Sequence, residues 1–193
     1  MNKKLILNVT AISMAVILFS GCSKDALVKP DFSQCKVQGE LAPQWACDSD
    51  VEGGIAATGI GVKTAAGASF QRTMAMADAR DQLAQQVSVK VKNMVKNFMQ
   101  ITGVGASETV DTTSARVSKQ VANQTLNGSK KKGQWHAPDG SLYVFVVLDP
   151  NLVKGEVKKA LKTSFKNDGA MYQKFLAKQA QAELDAAIEM EMR

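Results

Sequence analysis

At 193 residues and a formal net charge of +6, the chain has room for one sizeable domain with terminal extensions, and its basic excess is too small and dispersed to argue for a nucleic-acid partner. Only 6% of residues are aromatic against 45% hydrophobic overall, so the core is expected to consist of aliphatics, Ala and Met. With three Cys and one His the chain lacks the paired ligands of a zinc site, and no metal-ligating set is nominated.

The first segment has the layout of an export signal. Lys3 and Lys4 give a basic start, Leu5 to Phe19 form an apolar run too short for a comfortable membrane span, and small Ser20 and Gly21 precede Cys22. A Cys at that point is similar to a bacterial lipobox, in which the thiol is acylated and residues 1–21 are removed. Cys22 is therefore the expected lipidation site, the alternative being an ordinary secretory signal with a chance Cys. Loss of the leader takes away Lys3 and Lys4 and leaves a mildly basic protein.

Residues 22–42 are polar, hold Pro30 and Gly39, and show no sustained period, so they read as a lipidated tether before a body that starts near Pro43. Cys35 and Cys47 are an even pair in an exported chain, and a disulfide is expected in preference to free thiols, intermolecular pairing or a metal site. Trp45 is expected to pack the edge of the core rather than stack on a ligand. Ile55 to Val62 reads as a short strand in which Gly59 and Gly61 permit close packing. Gly59-Ile60-Gly61 fails as a dinucleotide fingerprint, because the third Gly would fall at Thr64.

Leu83, Val87, Val91, Met94, Phe98 and Ile101 then recur at helical spacing and predict a long helix over 69–101, with Ser69 as N-cap and Gly103 and Gly105 ending it. Such a helix would run some 50 Å, more than one small domain covers, so part of it is expected against a sheet face or another copy. In 106–127, Val117, Val121 and Leu126 suit a second helix, while 106–114 reads equally as helical or extended. Residues 129–135 and 141–148 predict a hairpin around His136-Ala137-Pro138-Asp139-Gly140, and Leu142–Leu148, apolar on both faces, its central strand. Asp149 and Pro150 suit the N-cap and first position of a helix to about 166. A last helix is expected over 170–192, from Tyr172, Phe175, Leu176, Ala180, Leu184 and Ile188. Its Lys174 and Lys178 near the start and Glu183, Asp185, Glu189 and Glu191 near the end oppose the helix dipole, which fits either a partner contact or tolerance at an exposed terminus.

No catalytic residues are nominated, and no enzyme activity is expected. Ser33-x-x-Lys36 and Ser129-x-x-Lys132 match a penicillin-binding-protein motif only as bare strings, and His136 reads as a solvated turn residue. Lys130, Lys131 and Lys132 form the one dense basic patch. They read either as a solvated strand entry or as a contact for anionic lipid headgroups or lipopolysaccharide.

Behind the lipobox, APQW at 42–45, AMADARDQL at 75–83, SKQVANQTL at 118–126 and Leu142 to Val157 together resemble the LPP-20 lipoprotein family over about 42–162. The resemblance implies an α+β fold, a long helix packed across a small antiparallel sheet, here with additional C-terminal helices. The chain thus divides into a signal at 1–21, a tether at 22–42, a domain at 43–166 and, beyond the resemblance, a helical extension at 167–193. The resemblance also implies an outer-membrane lipoprotein, with no cofactor beyond the lipid on Cys22; Ser23 after that Cys, rather than Asp, agrees with outer-membrane delivery. Relatives include flagellar FlgP-type proteins that assemble into rings or disks needed for motility, and surface antigens. The implied partners are accordingly the periplasmic face of the outer membrane, further copies of the chain and flagellar motor or ring proteins, or else a host or ligand; nucleic acid is not among them.

Overall fold

A computed structural model describes residues 34–51, 54–103 and 106–192, so the export signal, Cys22, Ser33 and most of the expected tether lie outside the described residues. In chain order the elements are β1 (Lys36–Val37), β2 (Glu40–Leu41), α1 (Gln44–Cys47), β3 (Ile55–Gly61), α2 (Gly67–Thr102), α3 (Ser107–Thr125), β4 (Lys130–His136), β5 (Leu142–Leu148), α4 (Pro150–Phe165), α5 (Gly169–Leu176) and α6 (Lys178–Glu191). The fold is mixed, with a long helix, a small antiparallel sheet and C-terminal helices, in agreement with the class read from the sequence. The described residues form one compact unit.

The apolar β5 is the middle strand of a three-stranded antiparallel sheet, order β3-β5-β4. Leu142, Val144, Val146 and Leu148 are buried on the face toward α2, and the alternate residues are half-buried on the other face. There Trp45 stacks on Phe145 at 5.5 Å and Trp135 meets Tyr143 edge-on at 5.4 Å, so Trp45 closes the outer side of the sheet as expected. The connecting turn carries Gly140 at φ +80°, and Asp139 accepts the Ser141 N–H at 2.8 Å.

After β3 the chain reverses, and α2 runs back along the same strand. Contact is close because the facing residues are small: Gly59 and Gly61 lie against the α2 backbone at Gln71, Ala75 and Ala79. The helix begins at Gly67 (φ +86°), two residues before the expected Ser69 cap. Ser69 lies inside the first turn, where its carbonyl accepts from Thr73. Gly103, at φ +63°, ends the helix in the left-handed conformation that Gly adopts without strain. Ile101, expected on the core face, is 62% exposed; Phe98 and Met99 carry the core there instead.

Beyond the sheet, the C-terminal half of α2 is flanked by α3 and α6. α4 closes the ring by packing on α3 and pairing Lys158 with Asp185 of α6. α3 is helical throughout, which settles the open reading of 106–114. Its buried face mixes Val110, Val117 and Val121 with Thr113, Ser114 and Ser118. Ser114, Ser118 and Thr125 donate back to carbonyls three or four residues earlier, at 2.9 to 3.0 Å, so these hydroxyls enter the core already satisfied. α4 starts as expected, with the Asp149 carboxylate accepting the Asn151 N–H at 2.9 Å and Pro150 in the first position.

The single helix expected at 170–192 is broken at Ala177, whose ψ of 137° is extended. The break serves two packing directions. Phe175 turns onto Phe165 and Phe98, with ring centroids 5.6 and 6.2 Å away, while Ala180, Leu184 and Ile188 turn onto α2. Leu176, counted on the apolar face, is left 47% exposed. Lys90 of α2 donates to the Glu191 carbonyl at 2.6 Å, which places a cation at the negative end of the acidic α6.

The expected tether overlaps the fold at its C-terminal end: β1 and β2 pair as a hairpin, and Cys35 is bonded to Cys47 with Cα atoms 5.7 Å apart. Closure of a loop this size contributes on the order of 3 kcal/mol. The Cys35→Ser/Cys47→Ser double variant should accordingly unfold at lower denaturant concentration with little change in slope, measured by chemical denaturation.

Candidate functional site: the helix groove and the sheet edges

The small residues that allow α2 to approach β3 also bring polar side chains of its flank to the open edge of that strand. Asp78, Gln82 and Gln86, one turn apart on α2, meet the outward groups of alternate β3 residues. Asp78 accepts the Ile60 N–H at 2.8 Å, and Gln82 and Gln86 donate to the carbonyls of Thr58 and Ala56, both at 3.0 Å. A sheet edge otherwise offers these groups to another strand. This ladder escaped the sequence reading, although a polar stripe at spacing four beside Ala75 and Ala79 was its visible signal.

The opposite edge, β4, carries Lys130, Lys131 and Lys132. All three are exposed, Lys132 sits in a bulge between Lys131 and Gly133, and Lys131 donates to Gln134 at 2.7 Å. Charge and a bulge are two devices that keep an edge strand from pairing. Ser129 accepts from Arg80 at 3.3 Å, and His136 is exposed at the far end of the strand.

Between α2 and α3 lies an open groove of about 620 Å³. Its walls are mostly small, with Ala84, Ser88, Ala115 and Ala122 among them, and Lys92 and Lys119 stand at the rim. Val89 opens onto it 60% exposed. Near one end Lys96 pairs with Asp111, and that hydrogen bond, reinforced by the ammonium charges of Lys96 and Lys92, holds the Asp111 carboxyl below the usual range. The exposed side of α2, part of which is expected against a sheet face or another copy, thus contributes one wall. The 170–192 segment is largely committed to the core, leaving Leu176 and Met190 exposed, the latter at 63%.

At the turn end of the sheet, the N-terminal hairpin is clamped to the β4–β5 turn. Gln38, at φ +54°, donates from Nε2 to Asp139 at 2.7 Å and accepts the Asp139 N–H at 3.2 Å. Gln71, buried on α2, donates to the carbonyls of both Gly61 and Gly140, joining strand, helix and turn. The Ser141 N–H, followed by the Gln38 amide, holds the Asp139 carboxyl below its ordinary value of 3.8. A lowered folded value means the clamp is at full strength above the ordinary carboxylate range and is lost as pH falls through the lowered one. NMR titration of Asp139 should give a midpoint below 3.8 that rises in Gln38→Ala.

Among the described residues no helix is long and apolar enough to cross a membrane. Neither the curated proteins nor the solved structures contain a match to the chain. A family model described as LPP20 lipoprotein matches residues 43–149, from α1 to the end of β5, so α4, α5 and α6 complete the core from beyond the matched region. The match spans more than half of the chain and includes the APQW, AMADARDQL and SKQVANQTL segments almost whole, and on that ground the chain belongs to the LPP20 lipoprotein family.

Proposed function

We propose that the chain is a non-enzymatic structural lipoprotein, held by lipid on Cys22 at the periplasmic face of the outer membrane, whose body self-associates into a flagellum-associated ring or basal disk needed for motility. The observation that carries the reading is the α2/α3 groove: an open, small-residue surface with Val89 exposed, presented by two helices packed into a rigid core. Acyl chains contribute about 0.8 kcal/mol per buried CH₂, so anchoring confines every copy to one leaflet. Confinement raises the effective concentration of neighbours, and weak lateral contacts then suffice for assembly.

Cys22→Ala should move the protein from the membrane to the soluble fraction on fractionation, and with it abolish assembly. Electron microscopy of detergent extracts from wild-type cells should show rings or disks. Monodisperse protein that binds an external ligand would instead favour a surface-exposed antigen or binding protein, and unaltered function in Cys22→Ala would overturn the scaffold reading.

A further inference from the structure

Four of the exposed large hydrophobic side chains belong to one end of the fold. Ile60 and Val62, at the end of β3, are 43% and 64% exposed, and Phe70 and Met74, on the first turns of α2, are each 47% exposed. Phe70, Met74 and Asp78 follow one another at spacing four, and Asp78 is bonded to Ile60, so that helix flank lies along the end of the strand. Lys63 and Arg72 are exposed at the same end. Asp139, the acid of the adjoining turn, already has its carboxylate engaged by Gln38 and Ser141.

The described chain also enters the body here. Cys35 is three residues from Gln38, which is clamped to Asp139, and the Gly140 carbonyl of that turn is held by Gln71, next to Phe70. Gln34 follows Cys22 by twelve positions, which limits the reach of the connection to about 40 Å at full extension. Exposed apolar side chains and cations at one end of the fold, next to the point where an acylated chain joins it, match the chemistry of a bilayer interface. There apolar side chains enter the acyl boundary and Lys and Arg meet phosphate.

We infer that the turn end of the sheet, through Ile60, Val62, Phe70 and Met74 with Lys63 and Arg72, seats on the bilayer that holds the anchor. This rests on the reading of Cys22 as lipidated. α2 is 36 residues long, and the α2/α3 groove begins on it at Ala84, 14 positions beyond Phe70 and so about 21 Å along the helix axis, which leaves the groove free for neighbours. Lys130 pairs with Val147, five residues along β5 from the Leu142 partner of His136, so the lysine patch lies about 17 Å along the strand from the turn end.

The test uses the full lipidated protein reconstituted in phosphatidylethanolamine/phosphatidylglycerol vesicles with brominated acyl chains, with one added Trp at an exposed position, Phe70→Trp or Val89→Trp. The emission contributed by the added Trp is expected to fall at least twofold at position 70 and to stay unchanged at position 89, relative to unbrominated vesicles. In the Cys22→Ala chain, Phe70→Ser/Met74→Ser should weaken the residual binding to these vesicles at least threefold. Vesicle-bound protein quenched at neither position, or only at 89, overturns the seat while leaving the anchor standing. Protein that does not float with the vesicles overturns the anchor reading and the seat with it.

Discussion

Gly59→Ala is expected to destabilise the body by about 3 kcal/mol, the upper part of the usual range for overpacking. A Cβ on Gly59 would enter the contact distance of the Ala75 carbonyl and the Ala79 N–H, and would lie 2.8 Å from the Ala79 Cβ. The first two obstacles are helix backbone, which cannot swing aside as a flexible side chain would. Relief requires moving α2 off β3, and that pulls Asp78, Gln82 and Gln86 from their partners on the strand edge. In a chain of this size the loss corresponds to a fall in Tm of roughly 10 °C, measurable by calorimetry. Gly67→Ala supplies the contrast. A Cβ there meets nothing within 4 Å, so its cost comes only from the positive φ and should be smaller.

Truncation after Asn167 is expected to have the larger consequence, abolishing cooperative unfolding. The segment removed contributes Phe175, Leu184 and Ile188, buried to within 3% exposure, and its loss uncovers Phe98 and Phe165. At about 2 kcal/mol for each large apolar side chain, the three removed residues alone account for about 6 kcal/mol, comparable with the whole net stability of an ordinary domain, about 5–15 kcal/mol. The expected result is retained far-UV circular dichroism with bound hydrophobic dye and a broad, non-cooperative melt. A truncated chain that still melts sharply near the wild-type temperature would show that 168–193 is an appendage.

The break between α5 and α6 has no signature in the sequence. The amphipathic spacing of Phe175, Ala180, Leu184 and Ile188 was legible, but a continuous helix was the natural inference from it. Ala177 has no residue-level signal of a break such as Gly or Pro; it bends because Phe175 and Leu184 pack in different directions. α3 was obscured for a related reason. Half of its buried face consists of Ser and Thr, which weaken an apolar period, and the burial of Ser114, Ser118 and Thr125 becomes acceptable only once their hydroxyls bond to their own helix. Of the surfaces considered for function, neither the α2/α3 groove nor the capped β3 edge could be read from the sequence. Each is made by two elements far apart in the chain or facing across a packed interface.

What the amino-acid sequence determined by itself was local. The helical period from Leu83 to Phe98, the Asp149-Pro150 start of α4, the turn before β5, the central place of that strand and the Cys35–Cys47 pairing all follow from residues close together in the chain. Tertiary structure alone decided which flank of α2 faces β3, α3 or α6, where the C-terminal chain breaks, and that Gln38 clamps a turn a hundred residues away. The difference has one physical cause: periodicity reports that a face must be buried, while the choice of what buries it depends on close approach, side-chain volume and hydrogen-bond satisfaction across elements that meet only in the folded chain.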